Sequence, residues 1–158
     1  MTAEEIYNAL KEKLGDAVRE LKPDVKQPFI TADPAKLFDV ALFLRDDPEM
    51  SFDYCNCVSG VDYNDGNLGA VYHLSSMTKK HSIVVKAIVP KENPHVRSTA
   101  EVWGGAVWHE REAYDMVGIV FDGHPDLRRI LLPDDYPGHP LRKDFQVPEF
   151  YNGMKVPY

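Results

Sequence analysis

Cysteine is scarce in this chain, with only Cys55 and Cys57 among 158 residues. The two stand two positions apart in SFDYCNCVSGVDY, a segment that reads as a β-strand, so both thiols point to one face and a disulfide between them would be strained. A closed zinc or iron–sulfur site needs further ligands, and no second cysteine cluster supplies them. Reduced, buried thiols are expected. Long apolar runs are also missing, since nothing approaches the roughly 18 residues that a bilayer-spanning helix requires. Positive charge is in deficit, with 18 Lys and Arg against 25 Asp and Glu and a net charge of -7. That balance excludes attachment to nucleic acid or anionic lipid by bulk attraction. The opening residues MTAEEIYNALKEKLGD are acidic and amphipathic, neither a secretory signal nor a transit peptide. A protein of the cytoplasm is expected, one able to dock on a membrane-embedded partner.

The length suits one domain, and 44% hydrophobic with 27% charged residues is ordinary for a folded chain. Ile6, Leu10 and Leu14 recur at helical spacing, with Gly15 as a stop. Pro23 and Pro28 divide residues 17–31 into one or two short strands. Asp33 and Pro34 open a second helix on which Leu37, Ala41 and Leu44 share a face, closed by Asp46, Asp47 and Pro48. Strand-like runs follow at residues 52–63, 69–77 and 82–89, joined by short turn-forming links that predict an antiparallel meander. The last, SIVVKAIV, is apolar on both faces apart from Lys86, which places it centrally. The fold class is therefore α+β: a mixed or antiparallel sheet of about four strands, with helices on one face and an extended C-terminal tail.

Beyond Pro90 the texture changes. Ser98 and Glu101 have capping-box spacing, predicting a short helix interrupted at Gly104-Gly105. Another helix is expected from Ala106 to Val117, ended by Gly118. From Glu110 to Phe145 the chain is dense in Asp, Arg, His, Pro and aromatic residues, with charges set among apolar residues too regularly for a solvated loop. At 100° per residue, Ala106, Val107, Glu110, Ala113, Tyr114 and Val117 share one arc, whereas Arg111, Glu112 and Asp115 fall outside it and are expected to face outward. Glu110 thus lies on the apolar stripe. A buried carboxylate needs a partner, and Arg128 or Arg129, returning after the next loop, is expected to form a structural ion pair with it.

Residues 133–158 are expected to form an extended tail beyond a globular domain of residues 1–132. Five prolines stiffen this tail, which also carries Tyr136, Leu141, Phe145, Val147, Phe150, Tyr151, Met154, Val156 and Tyr158. So much apolar material in an extended segment predicts that it lies along a partner surface.

These residues resemble the family of the 30 kDa (C) subunit of proton-translocating NADH:quinone oxidoreductase, respiratory complex I. The family pattern is Glu-Arg-Glu, two residues, an acid, two apolar residues, six residues, His or Lys, three residues, a basic residue or Pro, one residue and two apolar residues. Here Glu110, Arg111, Glu112, Asp115, Met116, Val117, His124, Arg128, Ile130 and Leu131 meet it. PDDYPGHPLRKDF and the ending EFYNGMKVPY are similar to later family segments, and Val117 stands where phenylalanine is commoner.

The resemblance implies a non-catalytic subunit of the hydrophilic arm, on the cytoplasmic side of the membrane, that packs against the large (D) subunit near the quinone site. It implies no cofactor or metal in this chain, with NADH, FMN, iron–sulfur clusters and quinone bound on other subunits. Some relatives fuse the C and D subunits in one chain, and this chain is expected to be the separate form. Interface residues are then expected among Glu110, Arg111, Glu112, Asp115, His124, Arg128, Arg129, Arg142, Asp144 and Phe145, because arginine forks suit fixed docking on carboxylates. Related ferredoxin- or deazaflavin-dependent complexes and membrane-bound hydrogenases carry similar chains. Two readings of other classes are a stand-alone metal-dependent hydrolase, using His109, Glu112, His124 and His139, and a binding module without redox partners. The hydrolase lacks a second histidine four positions after His109.

Overall fold

The computed structural model describes residues 1–156. Helix α1, Ala3–Leu14, starts at a capping box in which Thr2 Oγ1 accepts the Glu5 N–H and the Glu5 carboxylate accepts the Thr2 N–H. Its Ile6 and Leu10 are fully buried. Two short strands follow, β1 (Val18–Lys22) and β2 (Phe29–Ala32), paired antiparallel. Asp33 Oδ1 then accepts the Ala35 N–H and leads through a 3₁₀ turn at Pro34–Lys36 into α2, Leu37–Asp46.

Strands β3 (Tyr54–Asp62), β4 (Asn67–Ser76) and β5 (His81–Pro90) form the expected antiparallel meander. The β1–β2 hairpin joins the far side of β5, with β2 parallel to it. The sheet is thus mixed, in the order β1-β2-β5-β4-β3, with five strands where about four were expected and β5 at its centre. Ile83, Val85, Ala87 and Val89 of β5 alternate into the core with Tyr72 and Leu74 of β4, and meet Val40, Ala41 and Leu44 of α2.

The expected capping box at Ser98 does not form a helix. Residues 99–105 run as turns, because the Ser98 hydroxyl accepts the Ala100 N–H and itself donates to Glu110, while Glu101 is exposed. Trp103 is buried and donates its indole N–H to the Phe52 carbonyl at 2.8 Å. A separate parallel pair, β6 (His95–Arg97) with β7 (Val120–Asp122), brackets helix α3, Ala106–Val117. Gly60 of β3 lets α3 approach closely, since a Cβ there would lie 3.0 Å from Val117 Cγ2 and 3.2 Å from Ala113 Cβ. Beyond β7 the chain folds back over the exposed side of α3 in turns and ends in a hairpin of β8 (Phe150–Tyr151) and β9 (Met154–Lys155).

Candidate functional site

The family-patterned residues gather around α3 in three clusters. The first is Glu110, fully buried against the sheet. Its Oε1 accepts the Tyr72 hydroxyl at 3.1 Å, the Thr99 N–H at 2.8 Å and the Thr99 hydroxyl at 2.9 Å, and its Oε2 accepts the Ser98 hydroxyl at 2.6 Å. Four donors therefore surround the carboxylate, and the expected ion pair with Arg128 or Arg129 is absent. The apolar stripe turns Glu110 toward the sheet, while both arginines return on the opposite side of the helix. Burial, with Glu110 beside it, pushes the Tyr72 hydroxyl well above the usual tyrosine range.

The second cluster corrects the outward placement of Arg111 and Asp115. Arg111 is 7% exposed and Asp115 fully buried, whereas Glu112 is exposed as expected. The loop at residues 124–132 covers them, so α3 is buried on two sides, one apolar and one polar. Asp115 Oδ2 accepts the N–H groups of Ile130, Leu131 and Leu132 at 2.8 to 3.0 Å, and Oδ1 takes Arg129 Nη1 at 2.8 Å. Burial pushes the Asp115 carboxyl upward, but these donors outweigh it and hold the group below the usual carboxylate range. Arg111 donates through Nε and Nη2 to the carbonyls of Arg128 and Arg129 at 3.1 and 3.0 Å.

Arg129 spans the loop, reaching the carbonyls of Tyr136 and Gly138 at 3.0 Å each. His124 Nδ1 accepts the Asp126 N–H, so its proton sits on Nε2 and is donated to the Val107 carbonyl at 3.0 Å. Arg128, unlike its neighbour Arg129, points its side chain to solvent, 70% exposed, with its Nε on Asp126 Oδ2.

The third cluster closes the C-terminal end of α3. Arg142 Nε donates to the Val117 carbonyl at 2.6 Å, the Leu141 N–H to the Met116 carbonyl at 2.9 Å, and His139 Nδ1–H to the Asp115 carbonyl at 2.9 Å. These bonds satisfy carbonyls that a helix end otherwise leaves open. Burial, reinforced by Arg142 and Arg129 and opposed by the bond to the Asp115 carbonyl, lowers the His139 pKa. At the end of β3, Asp62 accepts the Lys143 N–H at 2.9 Å and Lys91 Nζ at 3.0 Å, and Lys91 also reaches Asp144 at 2.8 Å. The backbone bonds from Lys143 and Asn64 draw the Asp62 pKa down to about 2. Phe145 stacks on Tyr136 and packs over Gly138.

Sequence reasoning missed Tyr72, Thr99, Asp62 and Lys91, and assigned Ser98 to a cap. Tyr72 lies 38 residues from Glu110, and no periodicity links them. The four residues of the hydrolase reading do not converge: His124 uses both ring nitrogens internally, His139 bonds the Asp115 carbonyl, and among the described residues no three His, Cys, Asp or Glu side chains could hold a metal. Cys55 is buried and Cys57 half-buried, both free, and burial pushes the Cys55 thiol up to about 12. Among the described residues no helix is long and apolar enough to cross a membrane.

Fold and clusters together define an α+β domain built on a charged helix whose polar groups bind the chain's own returning segments. The profile of the respiratory-chain NADH dehydrogenase 30 Kd subunit matches residues 30–151, and the chain belongs to that family. A protein of Chloroherpeton thalassium, named as the C subunit of NADH-quinone oxidoreductase, is 53% identical over 96% of this chain and 64% of its own length. The protein of the same name from Chlorobium phaeobacteroides is 48% identical over 96% of this chain and 93% of its own. The chain thus spans somewhat under two thirds of the first relative and nearly all of the second. Among solved structures, the trypsin-resistant fragment (1-134) of Nqo5 superposes with a TM-score of 0.64 at 25% identity, covering 77% of this chain and 98% of that one. A chain of an archaeal membrane-bound sulfane sulfur reductase shares the fold, with a TM-score of 0.73 at 23% identity, covering 90% and 85%.

Proposed function

We propose that this chain is a non-catalytic assembly subunit in the hydrophilic arm of an NADH:quinone oxidoreductase, held to the cytoplasmic side of the membrane through its partners. It packs there against the large (D) subunit near the quinone site, while NADH, FMN, iron–sulfur clusters and quinone bind other subunits. One observation carries this reading. Leu131, Leu141, Val147, Phe150 and Met154 are 55 to 68% exposed, a concentration of large apolar side chains in the C-terminal segment that the domain leaves uncovered.

The bonding of α3 supports the same role. Arg111, Asp115, Arg129 and Arg142 hold the C-terminal segment in place, so they position the docking surface, while Glu112, Arg128, Asp144 and the rim of Phe145 are the members that meet a partner. A fold shared with a chain of another respiratory membrane complex, the sulfane sulfur reductase, is in keeping with a scaffold used for assembly. Affinity purification of the tagged chain from its native membrane tests the proposal. Recovery with a homologue of the D subunit and NADH:quinone activity is expected; recovery of the chain alone overturns it.

A further inference from the structure

The two edges of the main sheet are finished differently. At β1 the outward carbonyls of Val18 and Arg19 accept Lys11 Nζ and the Tyr7 hydroxyl, and Arg19, Glu20 and Lys22 crowd the strand with charge. Blocking of this kind keeps an edge from pairing with another chain. Strand β3, nine residues long, has a register shift between Cys55 and Cys57, where the Cys55 thiol meets the Cys57 carbonyl, but among the described residues no charged side chain caps its edge. No charged side chain occurs from Tyr54 to Val61, and among the described residues its backbone pairs with β4 alone.

Beside this edge runs a groove between β3 and α3. One part, of about 490 Å³, is lined by consecutive residues Asp53 to Asn56 opposite Gly104, Gly105 and Trp108. The next, of about 360 Å³, is lined by Cys57 to Gly60 opposite Glu112 and Met116. His109 lines both and joins them, and its Nδ1 is a buried ring nitrogen with no hydrogen-bond partner. Tyr54, Trp108 and Leu141 stand 54 to 59% exposed along the rim. Glu112 is exposed and, among the described residues, lies in no ion pair.

We propose that β3 is completed in the assembled complex by an extended strand of another subunit, bearing a basic side chain opposite Glu112 and apolar ones against Trp108 and Leu141. The unpaired backbone edge specifies an extended peptide, because only a main chain presents donors and acceptors at strand spacing. The charge specifies its sign. A second copy of this chain, at a net charge of -7, would bring acid to acid. The inference rests on membership of a multi-subunit complex and adds which edge the partner occupies.

Hydrogen–deuterium exchange of the isolated chain and of the purified complex tests it. On assembly, alternate amides of β3 should slow by about tenfold or more, while β1 amides stay unchanged. Glu112→Lys, at an exposed position, should leave the thermal melt in place and lower recovery of the complex about tenfold. Unchanged β3 exchange in an intact complex overturns the strand addition while leaving the assembly role standing. Concentration-dependent protection of β3 in the isolated chain assigns the edge to self-pairing and also overturns it. Failure to recover any complex overturns both.

Discussion

Arg142 Nε donates to the carbonyl oxygen of Val117 at 2.6 Å, so the last turn of α3 is closed by a side chain from 25 residues further on. Replacing Arg142 with alanine should release the segment around His139 to Phe145, at about 1–3 kcal/mol for a lost charged hydrogen bond. Assembly should weaken by a similar amount if, as proposed, that segment carries the docking surface. Limited proteolysis should show earlier cleavage within residues 133–145 while the sheet persists.

Gly118 sits next to that contact with a φ of +80°, and a Cβ there would meet Arg142 Nη2 and His139 Cδ2 at 2.5 Å each. Gly118→Ala therefore combines left-handed strain with displacement of two anchoring side chains. A loss of about 1–3 kcal/mol in urea unfolding is expected. A loss equal to that of an exposed surface alanine would contradict it.

Glu110→Ala should be among the most damaging single changes. It leaves the Tyr72 and Thr99 hydroxyls, the Thr99 N–H and the Ser98 hydroxyl without their acceptor among buried residues. The cost should be about 3–5 kcal/mol, with Glu110→Gln milder at about 1–3 kcal/mol because one oxygen remains. Chemical denaturation of the two variants separates them.

Acid should loosen the clasp at Asp62 through protonation of that carboxylate. Its pKa falls from the usual 3.8 to about 2 in the folded chain. A depressed carboxylate contributes stability that is present above the unfolded value and is lost as pH falls through the folded one. The loss therefore spans about pH 4 to 2, and Asp62→Asn should flatten that part of the stability curve. Asp115 and Asp144 shift in the same direction and add to the acid limb.

Replacing Phe150 and Met154 with serine tests the apolar C-terminal surface. Both side chains are more than half exposed, so folding stability should move by less than about 0.5 kcal/mol. Recovery of partner subunits should fall. Unchanged recovery would remove these residues from the interface.

Much of this architecture was legible in the sequence because hydrophobic periodicity reports burial against apolar neighbours. That is how α1, α2 and central β5 could be read, while short turn-forming links marked the meander and a glycine marked the stop at Gly118. The same signal is blind to burial under a polar loop. Arg111 and Asp115 fall off the apolar stripe and yet are buried, since backbone N–H and carbonyl groups of residues 128–132 cover them. Ser98 and Glu101 have capping-box spacing, but Glu110 draws the serine hydroxyl away. Strands β6 and β7 are three residues each, too short for an alternation to register.

The parallel seam between β2 and β5 has a consequence for synthesis on the ribosome. The N-terminal hairpin reaches the sheet only through β5, so the first strands made must wait for the strand that emerges about fifty residues later. Residues 133–145, which lock the exposed side of α3, emerge later still. A nascent chain therefore completes its sheet before the C-terminal segment proposed to meet a partner can settle on α3, so the order of translation separates folding of the sheet from docking at that segment.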